Sequence, residues 1–499
     1  MATTQVIERP AAAPAEYEAV IGLEVHAELL TDSKMFCGCS AQHAGAEPNT
    51  LVCPVCLGMP GVLPVINEKA VEYTVLTALA LNCEIPEYSK FDRKNYNYPD
   101  LMKGYQISQY DLPLSRNGWL EIPDPTDPAQ TRRIGITRVH LEEDTAKLRH
   151  VRSPTGETYS LMDVNRSGVP LMEIVGEPDI RSPEEAVAYL RQLRAILRYI
   201  GVSSGNMEEG AFRCDANVSI RPRGQERFGA KVEVKNMNSF RAVGRALAYE
   251  IERQRQVLAS GGRVVQETRG WVEERGVTVS QRSKEEAHDY RYFPEPDLPP
   301  LFLDRAWVER IRARLPELPE PKRRRFMAQY GLSPDDAATL TESRALADFF
   351  EQTVAQGVTP RSAANWLIRD VRRLLAGAGI EIQQSKLTPA GLAGLIRLID
   401  AGHLSVRSAP EVLEEVFRTG APAEQVVQEK GLAQVSDAAA LEDVIDRVLA
   451  AEANQKAIAD YRAGKEAALK FLVGAVMKET RGKANPGLVN ELLRRKLGG

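Results

Sequence analysis

The sequence predicts an α+β fold: an antiparallel-sheet domain first, all-α helical and tail domains after it. Before residue 300, several segments alternate apolar and polar residues with period two, as half-buried strands do. Helical runs over 67–81, 183–200 and 240–258 separate those strands. Beyond about residue 300, only helical periodicity with short Gly/Pro breaks remains. The chain has 499 residues, 43% apolar and 26% charged, an ordinary composition for a soluble protein of two to four domains. A net charge of −4 gives no global basic field, so any nucleic-acid contact needs a local patch. No apolar run is long enough to span a bilayer. Residues 1–16 lack a basic start and an apolar core, so they read as a floppy leader and not as a signal peptide. Without export the chain belongs in the cytoplasm, where thiols stay reduced. Six cysteines then argue for metal or burial, not disulfides.

In chain order, Val20–Leu30 puts Gly22, Glu24, His26 and Glu28 on one face and Ile21, Leu23, Val25, Ala27 and Leu29 on the other. Cys37 and Cys39, then Cys53 and Cys56, form two close pairs across a Pro/Asn-containing loop. That spacing suits a tetrahedral structural zinc; the competing reading is four unrelated thiols. Cys83 and Cys214 read as packing cysteines. F-D-R-K-N-Y-N-Y-P-D (Phe91–Asp100) sets Arg93 and Lys94 among tyrosines. They either hold phosphate beside aromatic faces or belong to a tyrosine-rich loop packed on a sheet.

The central stretch runs from Ile134 to Val175 and concentrates Glu142, Glu143, Asp144, Asp163 and Glu173. Strict alternation puts Ile136, Arg138, His140 and Glu142 on one face, with Thr137, Val139, Leu141 and Glu143 on the other. It likewise makes L-M-D-V-N a strand with Asp163 and Asn165 facing together, and L-M-E-I-V a strand exposing Glu173. One such strand is a half-solvated antiparallel sheet. Several with acid in mid-strand, where β-propensity disfavours it, point to a metal-loaded face. Ser182-Pro183-Glu184-Glu185 predicts a capping box opening a helix that stops at Gly201. Two more strands set Asp215, Asn217, Ser219 and Arg221 on one face, and Lys231, Glu233 and Lys235 on one face. The prolines of Asp289–Pro300 suggest a domain boundary. The domains expected are 17–298, 299–405 and 406–499. The end of the chain is polarised. Residues 401–454 hold four Lys/Arg against ten Asp/Glu, and residues 456–499 hold ten against four. The basic end is either an RNA-backbone patch or a solvated helical surface.

Clustered carboxylates with an imidazole suit magnesium, shared with substrate phosphates. No P-loop and no G-x-S-x-G elbow occurs. ATP on an acidic sheet face is the physical reading, with Arg93, Lys94, Arg138, Arg166 and Lys235 neutralising phosphates. Candidate catalytic residues are Glu24, His26, Glu142, Glu143, Lys147 and Glu173.

I-G-L-E-V-H, F-D-R-K-N-Y-N-Y-P-D, Y-Q-I-S-Q-Y, G-I-T-R-V-H-L-E-E-D-T-A-K, R-S-G-V-P-L-M-E-I-V, M-E-E-G-A-F-R-C-D-A-N-V-S, V-E-V-K-N-M-N-S-F and D-Y-R-Y-F-P-E-P-D-L together resemble the GatB/GatE family of tRNA-dependent amidotransferase subunits. The ending N-P-G-L-V-N-E-L-L-R-R-K-L is similar to that family's YqeY-like tail. The resemblance implies a glutamine-synthetase-like cradle over 17–298. It implies ATP-dependent phosphorylation of Glu or Asp mischarged on tRNA(Gln) or tRNA(Asn), followed by amidation with ammonia. It implies magnesium on Glu24, His26, Glu143, Glu173, Asp215 and Glu233. Periodicity does not choose between Glu142 and Glu143; the resemblance favours Glu143. It implies a heterotrimer with an amidase A subunit, which hydrolyses glutamine, and a small C subunit. No amidase signature is present in this chain. Two rival classes remain: a small-molecule carboxylate–amine ligase and a non-catalytic tRNA-binding scaffold.

Overall fold

The structure, a computed structural model, describes residues 16–124, 127, 130–283, 290–434, 438–480 and 484–498. The expected leader lies outside these residues except for Glu16. Two compact units divide at Pro319/Glu320.

The first unit opens with β1 (Tyr17–Glu28), α1 (Glu68–Ala80), β2 (Tyr88–Ser89), β3 (Asp92–Asn95), β4 (Tyr105–Ser108), β5 (Ser115–Pro123) and β6 (Thr131–Glu143). It continues with β7 (Lys147–Arg152), β8 (Thr158–Asp163), β9 (Pro170–Gly176), α2 (Pro183–Tyr199), β10 (Phe212–Pro222), β11 (Val232–Lys235) and α3 (Phe240–Ala259). It ends with β12 (Glu267–Val272), β13 (Val277–Ser283), β14 (Phe293–Pro294), β15 (Leu301–Phe302) and α4 (Arg305–Arg312). Eight strands form the main sheet in the order β13-β12-β11-β10-β1-β9-β6-β5. Every neighbouring pair is antiparallel except β11–β12.

The alternation of β1 sorts its two faces. Ala19, Ile21, Leu23, Val25 and Ala27 are buried in the core with Val75 of α1, Leu193 of α2 and Leu247 of α3. Burial of each large aliphatic side chain contributes roughly 1.5–3 kcal/mol. The helix caps are worth only about 1 kcal/mol each, so packing holds the helices and the caps fix their starts. Asn67, Ser182 and Ser239 are those caps, each accepting a backbone N–H from the first turn. The expected capping box is displaced at α2. Glu185 accepts the backbone N–H of Arg181, not that of Ser182, and also binds Arg132. Gly201 ends the α2 segment with φ +71°, a conformation that favours glycine.

Strict alternation fails in β6. The β6–β9 register shifts between Ile136 and Arg138, leaving Thr137 as a bulge residue. Ile136 therefore sits in the core with Val139 and Leu141, not beside Arg138, His140 and Glu142. L-M-D-V-N also departs from expectation. Asp163 ends the β7–β8 hairpin and caps a 3-10 turn by accepting from Asn165 N–H at 3.0 Å. Neither residue reaches the acidic face as a strand neighbour, because a side chain that caps a turn cannot also continue a ladder.

The proline-rich stretch lies within the first unit, which runs to Pro319. β14 pairs with β3, β15 pairs with β2, and Leu298, Leu303, Val308 and Ile311 enter the first core. Proline limits pairing to short edge pieces, but the apolar residues between keep the segment anchored up to Pro319. Within the second unit, one core runs from Phe326 to Val427 and another from Leu441 to Leu497. Helices Ala409–Thr419 and Ala423–Glu429, which follow the expected break at 405/406, pack into the core that starts at Phe326. No helix among the described residues is long and apolar enough to cross a membrane.

Candidate active site on the acidic sheet face

Adjacent strands bring the site together row by row. Arg213 (β10), His26 (β1), Glu173 (β9) and His140 (β6) are successive cross-strand partners. One row along, Asp215 pairs with Glu24, Glu24 with Val175, and Val175 with Arg138. Partners across a ladder point to the same face, so these side chains converge. His26 Nε2 lies 3.4 Å from Glu173, 3.7 Å from Glu142 and 3.9 Å from Glu24. His140 Nε2 lies 3.3 Å from Glu173. Two overlapping trios result: Glu24, His26 and Glu173, and His140, Glu142 and Glu173, with donor atoms inside 4.8 Å in each.

Charge in this cluster is unbalanced. Burial pushes the Glu24 carboxyl up, and the charge of Glu173 adds to it. Burial works against the His26 imidazolium, but the Glu173 hydrogen bond and the three carboxylates push it up to about 9. Burial also opposes ionisation of Glu173, yet His140 and His26 hold it well below its ordinary value. The carboxylate oxygens are hard donors that suit magnesium or manganese, and the imidazole nitrogens are borderline donors beside them.

Other expected residues stand elsewhere. The Glu143 carboxylate is not in this cluster: it binds Lys103 and accepts the Ile107 N–H at 3.0 Å. Glu142 and Glu143 are consecutive in a strand, so only one of them can face the cluster, and the structure brings Glu142. Asp215 lies opposite Glu24 but is bound by Lys235 at 2.6 Å. Glu233 lies a further row along, bound by Lys235 at 3.3 Å and Thr268 at 2.8 Å. Lys147 is exposed on the β7–β8 hairpin, opposite Asp163. Arg93 makes a bidentate pair with fully buried Glu295, at 2.7 and 2.8 Å. Arg166 donates to the carbonyls of Thr145 and Ala146. Arg138 remains on the cluster's face, its Nε 3.4 Å from His140 Nδ1. Asp144 is buried and pairs with Arg213 at 2.8 Å. Burial would raise its pKa, but Arg213 and then Arg166 hold it below its usual value.

His140 was legible, being in phase with Glu142. Lys103 carried no signal, because it lies in a turn. Glu28, in phase with Glu24 and His26, binds His43 at 3.0 Å.

The four thiols Cys37, Cys39, Cys53 and Cys56 gather with every sulfur within 4.8 Å of the others. A zinc tetrahedron with 2.3 Å arms has edges of about 3.8 Å, so the set fits one metal. The intervening loop reads the turn ahead of β9. Asn49 accepts the Val164 N–H, Asn165 accepts the Leu51 N–H, and Ser167 donates to the Cys56 carbonyl. The last cations of the chain are paired: Arg494 with Glu466, Arg495 with Glu442 and Lys496 with Asp446.

Residues 19–309 match the GatB/GatE catalytic domain, and residues 348–497 match the GatB domain. The B subunit of the aspartyl/glutamyl-tRNA(Asn/Gln) amidotransferase from Carboxydothermus hydrogenoformans is 58% identical over 97% of this chain and 99% of its own length. The proteins of the same name from Moorella thermoacetica and Thermomicrobium roseum are 60% and 59% identical, over 97% and 96% of this chain and 100% and 98% of theirs. The acidic sheet face lies inside the matched catalytic domain, and the chain belongs to the GatB/GatE family of amidotransferase subunits, enzymes of the ligase type.

Proposed function

We propose that this chain performs the activation and amidation steps of a tRNA-dependent amidotransferase. The substrate is Glu on tRNA(Gln), Asp on tRNA(Asn), or both. The side-chain carboxylate oxygen attacks the γ-phosphorus of ATP. The bond between that phosphorus and the bridging oxygen breaks, and ADP leaves with the electron pair. Ammonia then attacks the acyl carbon, phosphate departs, and the nitrogen loses a proton to give the amide. The convergence of Glu24, Glu142 and Glu173 on His26, with His140 behind Glu173, carries this reading. Glu142 and Glu173 are buried and Glu24 is half-buried beside them, a carboxylate-rich set that a divalent cation would balance. Glu24, His26, Glu142 and Glu173 would hold magnesium, with Asp215 beside Glu24. Bound there, the ion neutralises charge on the phosphates. Arg138 and Lys235, on the same face, steer anionic substrate toward the cluster.

Ammonia comes from glutamine hydrolysed by an amidase partner, in a heterotrimer completed by a small third subunit. The four-cysteine cluster holds structural zinc, and the work takes place in the cytoplasm. The experiment uses radiolabelled ATP and mischarged tRNA with the purified chain, with and without ammonium. tRNA-dependent ADP release, and amide formation only with ammonium or the amidase partner, are expected. ATP turnover indifferent to aminoacylated tRNA would overturn the reading in favour of a small-molecule ligase. No ATP turnover under any of these conditions would leave a binding scaffold.

A further inference from the structure

Lys94 differs from Arg138, whose Nε lies 3.4 Å from His140 Nδ1, and from five further basic residues of this region. Arg93, Arg166, Arg213, Lys103 and Lys235 each bind a carboxylate or a carbonyl. The half-buried ammonium of Lys94 has no hydrogen-bond acceptor among the described residues. Its surroundings are aromatic. It lies 5.0 Å from the ring centre of Tyr290 and 5.9 Å from that of Tyr96. Tyr292 packs against Tyr290 at 6.0 Å and stacks on Tyr110 at 4.4 Å. Burial works against the charge of Lys94, but Glu142 first, then Tyr292 and Glu173, push its pKa up. Lys94 stands opposite Gln106 of β4, whose side-chain amide donates to the Glu143 carbonyl at 2.8 Å, and Ser108 of the same strand donates to Glu142 at 3.2 Å, so Lys94 lies beside the end of β6 that carries Glu142.

The tyrosines are placed by the proline-rich segment. β14 pairs Phe293 with Arg93 and Pro294 with Asp92. Asn95 N–H donates to the Tyr290 carbonyl at 2.9 Å. The Arg93–Glu295 pair locks the same segment one residue from Lys94. A lysine fixed by ring faces gains cation–π attraction while its three N–H donors stay uncommitted.

We infer that Lys94, held by Tyr96 and Tyr290, receives an oxyanion of the reacting substrate at the edge of the acidic cluster. The oxyanion is either the terminal phosphate of the nucleotide or the side-chain carboxylate of the aminoacyl acceptor. This rests on the proposed ATP-dependent reading of the same site. With carboxylates on one side and an uncommitted ammonium on the other, an incoming anion would find a cationic partner on the side away from the carboxylates. Tyr96 and Tyr290 act as positioning residues, since they touch Lys94 and not the reacting atoms.

The test measures equilibrium binding to the full chain with magnesium, using an imido-linked ATP analogue and ADP, for wild type, Lys94→Met, Lys94→Gln and Lys94→Arg. KM for mischarged tRNA is measured in parallel with ammonium as nitrogen donor. For Lys94→Met and Lys94→Gln, one reading should worsen by about 10- to 100-fold, the range of one charge-assisted hydrogen bond. The reading is triphosphate affinity if the partner is phosphate, and acceptor KM if it is the carboxylate. ADP affinity should hold, and Lys94→Arg should recover most of the loss. Unchanged values for both ligands in a folded Lys94→Gln protein would overturn the inference. So would a change in manganese affinity alone, because that marks Lys94 as a mere counter-charge. If wild type binds no magnesium triphosphate, the underlying reading fails instead.

Discussion

His26 Nε2 faces Glu173 Oε2 at 3.4 Å across the β1–β9 pair, so a cation held by both would compete with a proton on His26. His26 is pushed up to about 9. Below that pH the free site carries the proton, and a divalent ion must expel it. Manganese affinity should therefore rise with pH by up to about tenfold per unit and level off above about 9. Calorimetry at pH 7 in buffers of different ionisation enthalpy should detect release of about one proton per ion bound. Affinity flat between pH 6 and 9 would remove His26 from the ligand set.

Glu142 and Glu143 should separate cleanly. Glu142→Gln removes a carboxylate from the cluster and should weaken manganese binding by at least about tenfold. Glu143→Gln should leave that affinity within about twofold. Because Lys103 and Glu143 are both largely buried, it should also lower stability by about 3–5 kcal/mol. Paramagnetic resonance of bound manganese and denaturant unfolding measure the two effects. The opposite pattern would restore Glu143 as the ligand.

Arg93 should prove architectural. Its partner Glu295 is fully buried, so Arg93→Ala leaves a carboxylate without a counter-charge and should cost about 3–5 kcal/mol. The 290–297 segment should then become protease-sensitive ahead of global unfolding. Weaker ATP binding at unchanged stability would instead return Arg93 to the phosphate-binding set.

The thiol cluster should contain about one zinc per chain after chelator-free purification. Cys53→Ser should lose the metal and lower the melting temperature. Backbone exchange should rise first over 163–169, because the loop between the cysteine pairs holds that turn. A zinc-free protein with the same melting temperature and exchange would refute a structural role.

Neutralising Arg494, Arg495 and Lys496 should leave stability nearly unchanged, since their ion pairs lie at the surface. If the tail touches tRNA, the salt dependence of affinity should flatten by up to about one unit per lost phosphate contact. An unchanged slope would mean that the internal pairs with Glu466, Glu442 and Asp446 are the only business of these cations.

Much of this was legible in the residues. Glu24, His26 and Glu173 follow from period two, because one face of each strand is committed to the core. The thiol pairs follow from spacing. What escaped depends on events that alternation does not encode. A single bulge at Thr137 resets the phase of β6, so Ile136 and His140 part company although both are even-numbered. Glu142 and Glu143 are indistinguishable until Lys103 and the Ile107 N–H take Glu143, while Glu142, touched by the Ser108 hydroxyl, faces His26. Lys94 and Tyr290 lie almost two hundred residues apart in the chain, and nothing local announces that β14 lies beside β3.

β1 sits between β9 and β10, and both neighbours come from far downstream. At ribosomal speeds of about 5–20 residues per second, the strand bearing Glu24 and His26 waits on the order of ten seconds before either partner emerges. Throughout that interval it offers two unpaired edges and one greasy side to anything nearby. The middle of the finished sheet is therefore the early hazard of synthesis. Chaperone supply and translation rate across the first two hundred codons should therefore influence the yield of folded protein.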